Sequence, residues 1–514
     1  MTFRHCLPVA IVLLAPAALS AQSTESTQSA VASIVPADIL RQIGIIADDS
    51  MRGRATPSPE LEKTATYIAA EFRRFGLKPG GDGGSFIQHY ALQWIDIDTA
   101  GSSVSVSGGP TLRFGPDVLP GREPREAEVS GRVIVLSGGS PDPAALPRLP
   151  LAGSVVMILL PADDPMGRNN GLVRNMGVIG AQRPAAILLV SGLAEAAWRQ
   201  TADAVLRPRV SPAWWEARPG PPRAPVLLVR EASLRPTLER RGTAFAGLQS
   251  ATSGPVRATP VDLTVALTLK SKVDRGSGAP NVVGILEGSD PVLKDEYLVF
   301  SGHMDHLGVG QPDARGDSIY NGADDDASGT IAVVELAMAF AKLEPKPKRS
   351  LIFLTVSGEE RGLWGSDYFA NHPPVPIGQI VADLNTDMVG RNWKDTIVVI
   401  GKEHSDLGAT LNRVNRAHPE LRMTAIDDIW PNEDFYSRSD HFNFARKGVP
   451  ILFFFNGTHA DYHRPSDEVS KIDAEKESRI VKLAFYLGLD LANAKDRPKW
   501  KPDSYKRVVE PAGR

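Results

Sequence analysis

The chain has 514 residues, 42% of them hydrophobic and 23% charged, with a formal net charge of -3. That length exceeds one ordinary domain and predicts a large domain plus a smaller one, in a soluble globular protein whose mixed charge excludes the basic footprint of a nucleic-acid binder. The single cysteine, Cys6, excludes a disulfide framework and cysteine-based metal ligation, so any bound metal must rely on His and carboxylates.

The opening "MTFRHCLPVAIVLLAPAALSAQS" reads as a secretory signal over residues 1–21. Arg4 and His5 make a short basic start, Leu7 to Leu19 is apolar, and Leu19-Ser20-Ala21 offers small residues for cleavage. Export to the periplasm or the medium is therefore expected. The apolar run is too short to span a bilayer comfortably and no later run is long enough, so no membrane span is expected. Residues 22–35, rich in Ser, Thr, Gln and Ala, read as a flexible leader. Residues 36–104 then begin the main domain. In "TPSPELEKTATYIAAEFRRFG", Ser58 suits a helix cap, Pro59 the first turn and Gly76 the end, while Leu61, Ala65, Ile68, Phe72 and Phe75 form the apolar stripe.

Short strands separated by Gly and Pro follow: "GRVIVLS" (131–137), "SVVMILL" (154–160), "AAILLVS" (185–191) and "APVLLVR" (224–230). The stretch 207–225, rich in Pro and Trp, reads as a long surface loop. Residues 105–262 are predicted to be an inserted β-rich module without chemistry of its own. From 263 to 497 strands and helices alternate, with helices predicted after Asp326, around 405–418 and at 475–493. The tail, 498–514, is expected to be loosely attached. Continuous apolar strands alternating with helices predict an α/β domain: a mixed, mostly parallel central sheet with helices on both faces. In such sheets ligands bind beyond the C-terminal strand ends.

Eight of the ten histidines lie between residues 303 and 463, and the polar motifs fall where the predicted strands stop. "SGHMDH" lets His303 face a metal while Asp305 sets the ring of that His or of a neighbouring ligand. "NGADDDASG" places Asp324, Asp325 and Asp326 in a row, and a cation would make their crowding tolerable. "TVSGEERGLWGS" supplies Glu359 and Glu360, which can diverge in the turn after Gly358 so that one binds metal and the other faces a metal-bound water. "ADLNTDMVG" brings Asp387 to the end of another strand, whereas Asp383 lies earlier and suits internal hydrogen bonds. "FFFNGTHADYHRPSDEV" adds His459 and His463, of which His463 is the better ligand candidate. Such a set suits two divalent ions sharing a carboxylate, at about 3.5–4 Å from each other in two-metal sites. Zinc fits the ligands, with manganese or cobalt as alternatives.

Together "GHMDHLG", "NGADDDASG", "SGEERGLWGS", "NTDMVG", "FYSRSDHFNF" and "DYHRPSDEV", in this order, resemble the secreted co-catalytic di-zinc aminopeptidases of metallopeptidase clan MH. That group also contains glutamate carboxypeptidase-like enzymes. The segment "DDSMRGRATPSPELEKTATYIAAEFRRFGLKPGG" resembles the family's N-terminal part, and the insert, with "SGRVIVLSGG", resembles a protease-associated (PA) domain. The resemblance implies the phosphorylase/hydrolase-like zinc-peptidase fold and two Zn2+ ions per chain. It assigns His303 and Asp387 to one ion, Glu360 and His463 to the other, and Asp325 to the bridge. It makes Glu359 the general base acting on a metal-bound hydroxide, Asp305 an orienting residue, and Tyr436 a donor to the transition-state oxygen. Asp326 is expected to cap the following helix and Asp324 to make supporting hydrogen bonds.

Peptides are the expected substrates. The acidic, aromatic loop "AIDDIWPNEDFY" is expected to border the pocket through Trp430, Asp434 and Phe435 and to favour an apolar first residue. The alternatives are a carboxypeptidase of the glutamate carboxypeptidase type, a glutaminyl cyclase-like acyltransferase, and a non-catalytic receptor-like protein of the same fold. A Glu-releasing carboxypeptidase would need Arg residues converging on the substrate carboxylate, and no such cluster stands out. A one-zinc cyclase would not need all five ligands, and a receptor would be expected to have lost some.

Overall fold

Largely apolar runs become the central strands of the first unit, with Asp383 the charged residue inside Ile380–Thr386. The computed structural model describes residues 15–121, 126–138, 149–215, 224–240 and 255–510, with side chains from residue 24. It divides into two compact units, Met1–Tyr90 with Ser277–Arg514, and Ala91–Gly276.

In the first unit we number the strands β1 (Ser271–Leu286), β2 (Tyr297–His303), β3 (Ser350–Val356), β4 (Ile380–Thr386), β5 (Thr396–Ile400), β6 (Thr424–Ile426) and β7 (Ile451–Phe455). They run in the order β6-β5-β7-β4-β2-β3-β1. The pairs β3/β2, β2/β4 and β4/β7 are parallel, while β1 and β5 join antiparallel to β3 and β7. Four adjacent strands therefore present their C-terminal ends on one edge.

The helices are α1 (Ala15–Ala32), α2 (Pro36–Ile46), α3 (Pro59–Arg74), α4 (Gly329–Ala341), α5 (Trp364–Asn371), α6 (Leu407–Ala417), α7 (His441–Ala445), α8 (Ala474–Asn493) and α9 (Pro502–Val508). Successive side chains of a strand point to opposite faces, and the packing follows that alternation. Val299, Ile352 and Leu354 pack with Phe369 of α5 and Phe444 of α7. Phe300 and Phe353 stack at 5.5 Å on the other face, where Phe340 of α4 meets Phe485 of α8 at 4.5 Å. The sheet is thus mixed, mostly parallel and covered on both faces, as the apolar runs predict. Ser58 caps α3 by accepting the Leu61 N–H at 3.1 Å, and Leu61, Ala65, Ile68 and Phe72 are buried.

Three expectations change. The 22–35 stretch is helical to Ala32 despite its Ser/Thr-rich composition, and its end docks through Ala30 and Ile34, both fully buried. Of the expected signal segment, residues 1–14 lie outside the described residues. The tail is anchored as far as residue 510: Trp500 donates its indole N–H to Gly448 O at 2.8 Å, and Ser504 Oγ lies 3.1 Å from His404 Nδ1. The predicted loop 207–225 contains a short strand, Arg209–Pro212, paired with Leu92–Ile95, while 216–223 are outside the described residues.

The second unit, wider than the predicted 105–262 insert, holds an eight-stranded sheet. Its parallel centre is Ala127–Ser137, Val155–Leu159, Ala186–Ser191 and Val226–Arg230, with a core that includes Val133, Val155, Leu188 and Val229.

Phe353 is fully buried between Phe300 and Phe340 in the first unit. Phe353→Ala is expected to destabilise this unit by about 3–5 kcal/mol, seen as a lower urea midpoint for its unfolding.

Candidate metal centre

The C-terminal edge of the parallel strands gathers the polar motifs. His303 ends β2, Glu359 and Glu360 follow β3, Asp387 follows β4, and His463 lies in the turn beyond β7. Asp325 comes from the loop leading into α4. Its Oδ1 lies 3.4 Å from His303 Nε2, and Asp387 Oδ2 lies 3.7 Å from the same nitrogen. On its other side, Asp325 Oδ2 lies 3.2 Å from His463 Nε2 and 3.8 Å from His306 Nδ1. Glu360 Oε2 is 3.2 Å from His463 Nε2. Two ligand groups result, and Asp325 belongs to both: His303 with Asp387, and Glu360 with His463 and His306.

The backbone amides near the cluster are tied to carboxylates that do not face its centre. Asp326 accepts the N–H groups of Gly329 at 2.8 Å, Met388 at 3.1 Å and His303 at 3.0 Å, which joins the start of α4 to the ends of β4 and β2. Asp324 accepts the Gly390 N–H at 2.7 Å and lies 3.2 Å from His459 Nε2. Because Asp461 N–H donates to His459 Nδ1 at 3.2 Å, Nε2 carries the proton and donates to Asp324. His459 is thus a support of the aspartate row. Asp467 accepts the N–H groups of Asp324 and Asp325, each at 3.1 Å. Asp383 makes the internal hydrogen bond expected of it, from Ser301 Oγ at 2.8 Å.

His303 Nδ1 lies 3.1 Å from the backbone oxygen of Asp305. A carbonyl only accepts, so Nδ1 carries the hydrogen and Nε2 is left as a lone pair facing Asp325 and Asp387. The Asp305 carboxylate lies behind that ring as expected, Oδ1 3.7 Å from Nδ1, and it also accepts Thr56 Oγ1 at 2.8 Å and the Glu359 N–H at 3.3 Å. Asp305 therefore orients His303 through its main chain and Glu359 through its side chain. Glu359 Oε2 lies 4.0 Å from His303 Nε2.

The electrostatics are those of an acid-rich pocket. Burial, with Asp440, Glu360 and Asp387 adding to it and His303 opposing, pushes Glu359 well above the usual carboxylate range. Against the effect of burial, His306, His303 and His463 hold Asp325 well below that range. Burial and the Asp325 charge raise Glu360, yet His306 and His463 bring it down to about 2. Burial lowers His463, but Asp325 and Glu360 carry it up to about 10. The ligand set fits divalent cations on a separate ground. Asp325 Oδ2, Glu360 Oε1, Asp387 Oδ1 and both ring nitrogens of His306 are buried without hydrogen-bond partners. Each such group costs about 1–3 kcal/mol unless something satisfies it, and imidazole with carboxylate is zinc-type ligation.

Sequence reading missed four contributors. Arg54, fully buried, donates Nε to Met304 O at 2.9 Å, Nη2 to Gly322 O at 2.6 Å and Nη1 to Asn321 O, so it clamps the segments that carry His303 and Asp325. His306, fourth residue of "HMDH", joins the second ligand group. Ser439 Oγ donates to Asp387 Oδ2 at 2.9 Å. Tyr462 stacks on His463 with ring centroids 3.8 Å apart and lines the cavity over the cluster.

That cavity is also lined by Met388, Phe435, Phe453, Phe455 and Arg438. Of the three residues expected to contact substrate, only Phe435 is among them. Trp430 packs behind it, edge-on to Phe435 at 5.6 Å and to Phe455 at 5.8 Å. Asp434 and Tyr436 line a different cavity, with Lys402, His404 and Arg507. Tyr436 packs edge-on to His404 at 4.4 Å, and its hydroxyl is buried without a partner. The expected role of Tyr436 at the reacting oxygen is therefore corrected: the tight turn at Asp434, φ 51°, sends Phe435 and Tyr436 into different cavities.

Residues 281–488 match peptidase family M28. The chain is 36% identical over 258 residues to a probable zinc metalloprotease of Leptosphaeria maculans, which covers 43% of this chain and 58% of that protein. It is 29% identical over 219 residues to a probable glutamate carboxypeptidase of Arthroderma benhamiae, 40% of this chain and 25% of that one. The chain thus spans less than two thirds of the length of these curated relatives. In fold it resembles an aminopeptidase from Aneurinibacillus sp. strain AM-1, with a TM-score of 0.51 and 16% identity over 93% of this chain and 98% of the other.

Removing the clamp leaves buried carbonyls unpaired. Arg54→Met is expected to cost about 1–3 kcal/mol of stability for each buried carbonyl left unpaired, and to weaken zinc binding about tenfold or more in a chelator competition. Wild-type zinc affinity in this variant would show that Arg54 does not position the metal loops.

Proposed function

We propose, from the match of residues 281–488 to peptidase family M28, that the chain is an exported di-zinc aminopeptidase cleaving the N-terminal bond of peptides with an apolar first residue. The observation that carries this reading is Asp325, one carboxylate shared between two sets of imidazole and carboxylate ligands. His303, Asp325 and Asp387 would hold one ion, and Asp325, Glu360 and His463 the other. When bound, the ions supply Lewis acidity towards the scissile carbonyl and lower the pKa of water.

The protein's own groups do the rest. Glu359, oriented by the contact between its N–H and Asp305, is the general base and returns the proton to the leaving amine. Tyr462, at the cavity wall beside His463, is positioned to donate to the developing oxyanion, the role expected of Tyr436. Met388, Phe435, Phe453 and Phe455 offer an apolar surface to the first side chain, and the acidic floor suits a cationic N-terminus. A Glu-releasing carboxypeptidase is disfavoured: Arg438 is the one Arg or Lys among the described residues lining the cavity. Its guanidinium lies 4.7 Å from the Phe435 ring and 3.5 Å from Glu433. Export rests on the basic and apolar pattern of residues 1–21.

The test compares free-amine and N-acetylated leucyl peptides, and peptides ending in Glu, with the zinc-loaded protein. Only the free-amine peptides should be cleaved from the N-terminus, and equal cleavage of the acetylated peptide would sink the aminopeptidase reading. Glu359→Gln is expected to lower kcat by about 10²–10⁴-fold, the usual contribution of a general base, with both zinc ions retained by elemental analysis. Dialysis against a chelator should abolish turnover, and added zinc should restore it.

A further inference from the structure

We infer that His306 is itself a ligand of the second metal position, so that one ion is offered four side chains, His306, Asp325, Glu360 and His463, and the other three. This rests on the two-metal reading and extends it to a residue to which the resemblance gives no role. His306 is 1% exposed. Its Nδ1 lies 2.8 Å from Glu360 Oε1 and 3.8 Å from Asp325 Oδ2, and its ring is edge-on to His463 at 5.8 Å. The close approach to Glu360 lacks hydrogen-bond alignment, since Nδ1 and Oε1 are both without partners. Two lone-pair atoms at that separation, both unsatisfied, are arranged as neighbouring ligands of one cation.

The ring is held in place by the backbone around it. His306 N–H meets Arg54 O at 3.4 Å, and its strand bridge to Ala55 fixes the main chain. Gly322, at φ 57°, packs against the ring: a Cβ there would fall 2.5 Å from His306 Cγ and 2.1 Å from Asp325 O. A residue without a side chain is thus required where the imidazole enters the aspartate loop.

The two positions become unequal. Four protein ligands give the second position the character of a closed, structural zinc site, while three leave the first open to water and substrate. One equivalent of metal should be held tightly and the other exchange readily.

The test needs no peptide. Zinc affinities of the wild-type, His306→Leu and His306→Gln proteins are measured by competition with a fluorescent chelator, with circular dichroism as the control for folding. Both variants should lose at least tenfold affinity at one site only, in the range seen when the ligand environment of a metal is altered. Visible absorption of the cobalt-loaded proteins should change for that equivalent alone. Recovery in His306→Gln would show that the ring merely hydrogen-bonds Glu360, and two unchanged affinities would remove it from the site; either overturns the inference. Should the variants not fold, zinc X-ray absorption of the wild-type protein decides: three imidazoles shared by two ions support it, and two overturn it. If wild-type protein binds only one zinc, the di-metal reading fails instead, an outcome separable from the failure of His306 alone.

Discussion

The first unit is organised around a concentration of buried carboxylates that have few basic partners. Asp324, Asp325, Asp326, Asp387, Glu360 and Asp467 all lie near the ends of apolar strands, and Arg54 is directed to main-chain oxygens. Buried charge is costly unless paired or bound to metal. The acids divide accordingly. Asp324, Asp326 and Asp467 spend their oxygens on backbone N–H groups, and so stitch the loops together. Asp325, Glu360 and Asp387 keep oxygens unsatisfied and facing imidazoles. The first set builds the shape that the second set needs.

Much of this centre was legible in sequence because strand ends select for it. A lone imidazole or a Glu pair after an apolar run has ordinary structural uses, so His303, the Glu359–Glu360 pair and Asp387 are legible as a set and not one by one. The row of aspartates was legible in part: Asp326 does bond the first amide of α4, and Asp324 does make supporting hydrogen bonds. Arg54 was not legible, since "MRGR" has the look of an exposed basic turn and its partners are main-chain oxygens, which no residue pattern advertises. His306 was overlooked because H-x-D already accounted for the motif.

The loop between β6 and α7 shows another limit. Its composition suggested a pocket wall, but composition does not say which way each ring turns. One left-handed residue, Asp434, separates Phe435 from Tyr436, so only the first reaches the metal cavity. The helical leader and anchored tail misled for a related reason: low-complexity or polar segments look unstructured until a docking surface is supplied, here at Ile34 and Trp500.

Arg54 also fixes when the centre can exist. Its carbonyl partners Met304 and Asn321 lie 250 and 267 residues further along the chain. His463 comes later still, so synthesis must pass residue 463 before the clamp and all its ligands can meet. During synthesis the guanidinium is made long before its partners, and the aspartate row, once made, still lacks its last imidazole. Contacts so distant in sequence close slowly. The two ligand groups therefore stay unassembled, whatever the fate of the rest of the fold, until residue 463 has been made.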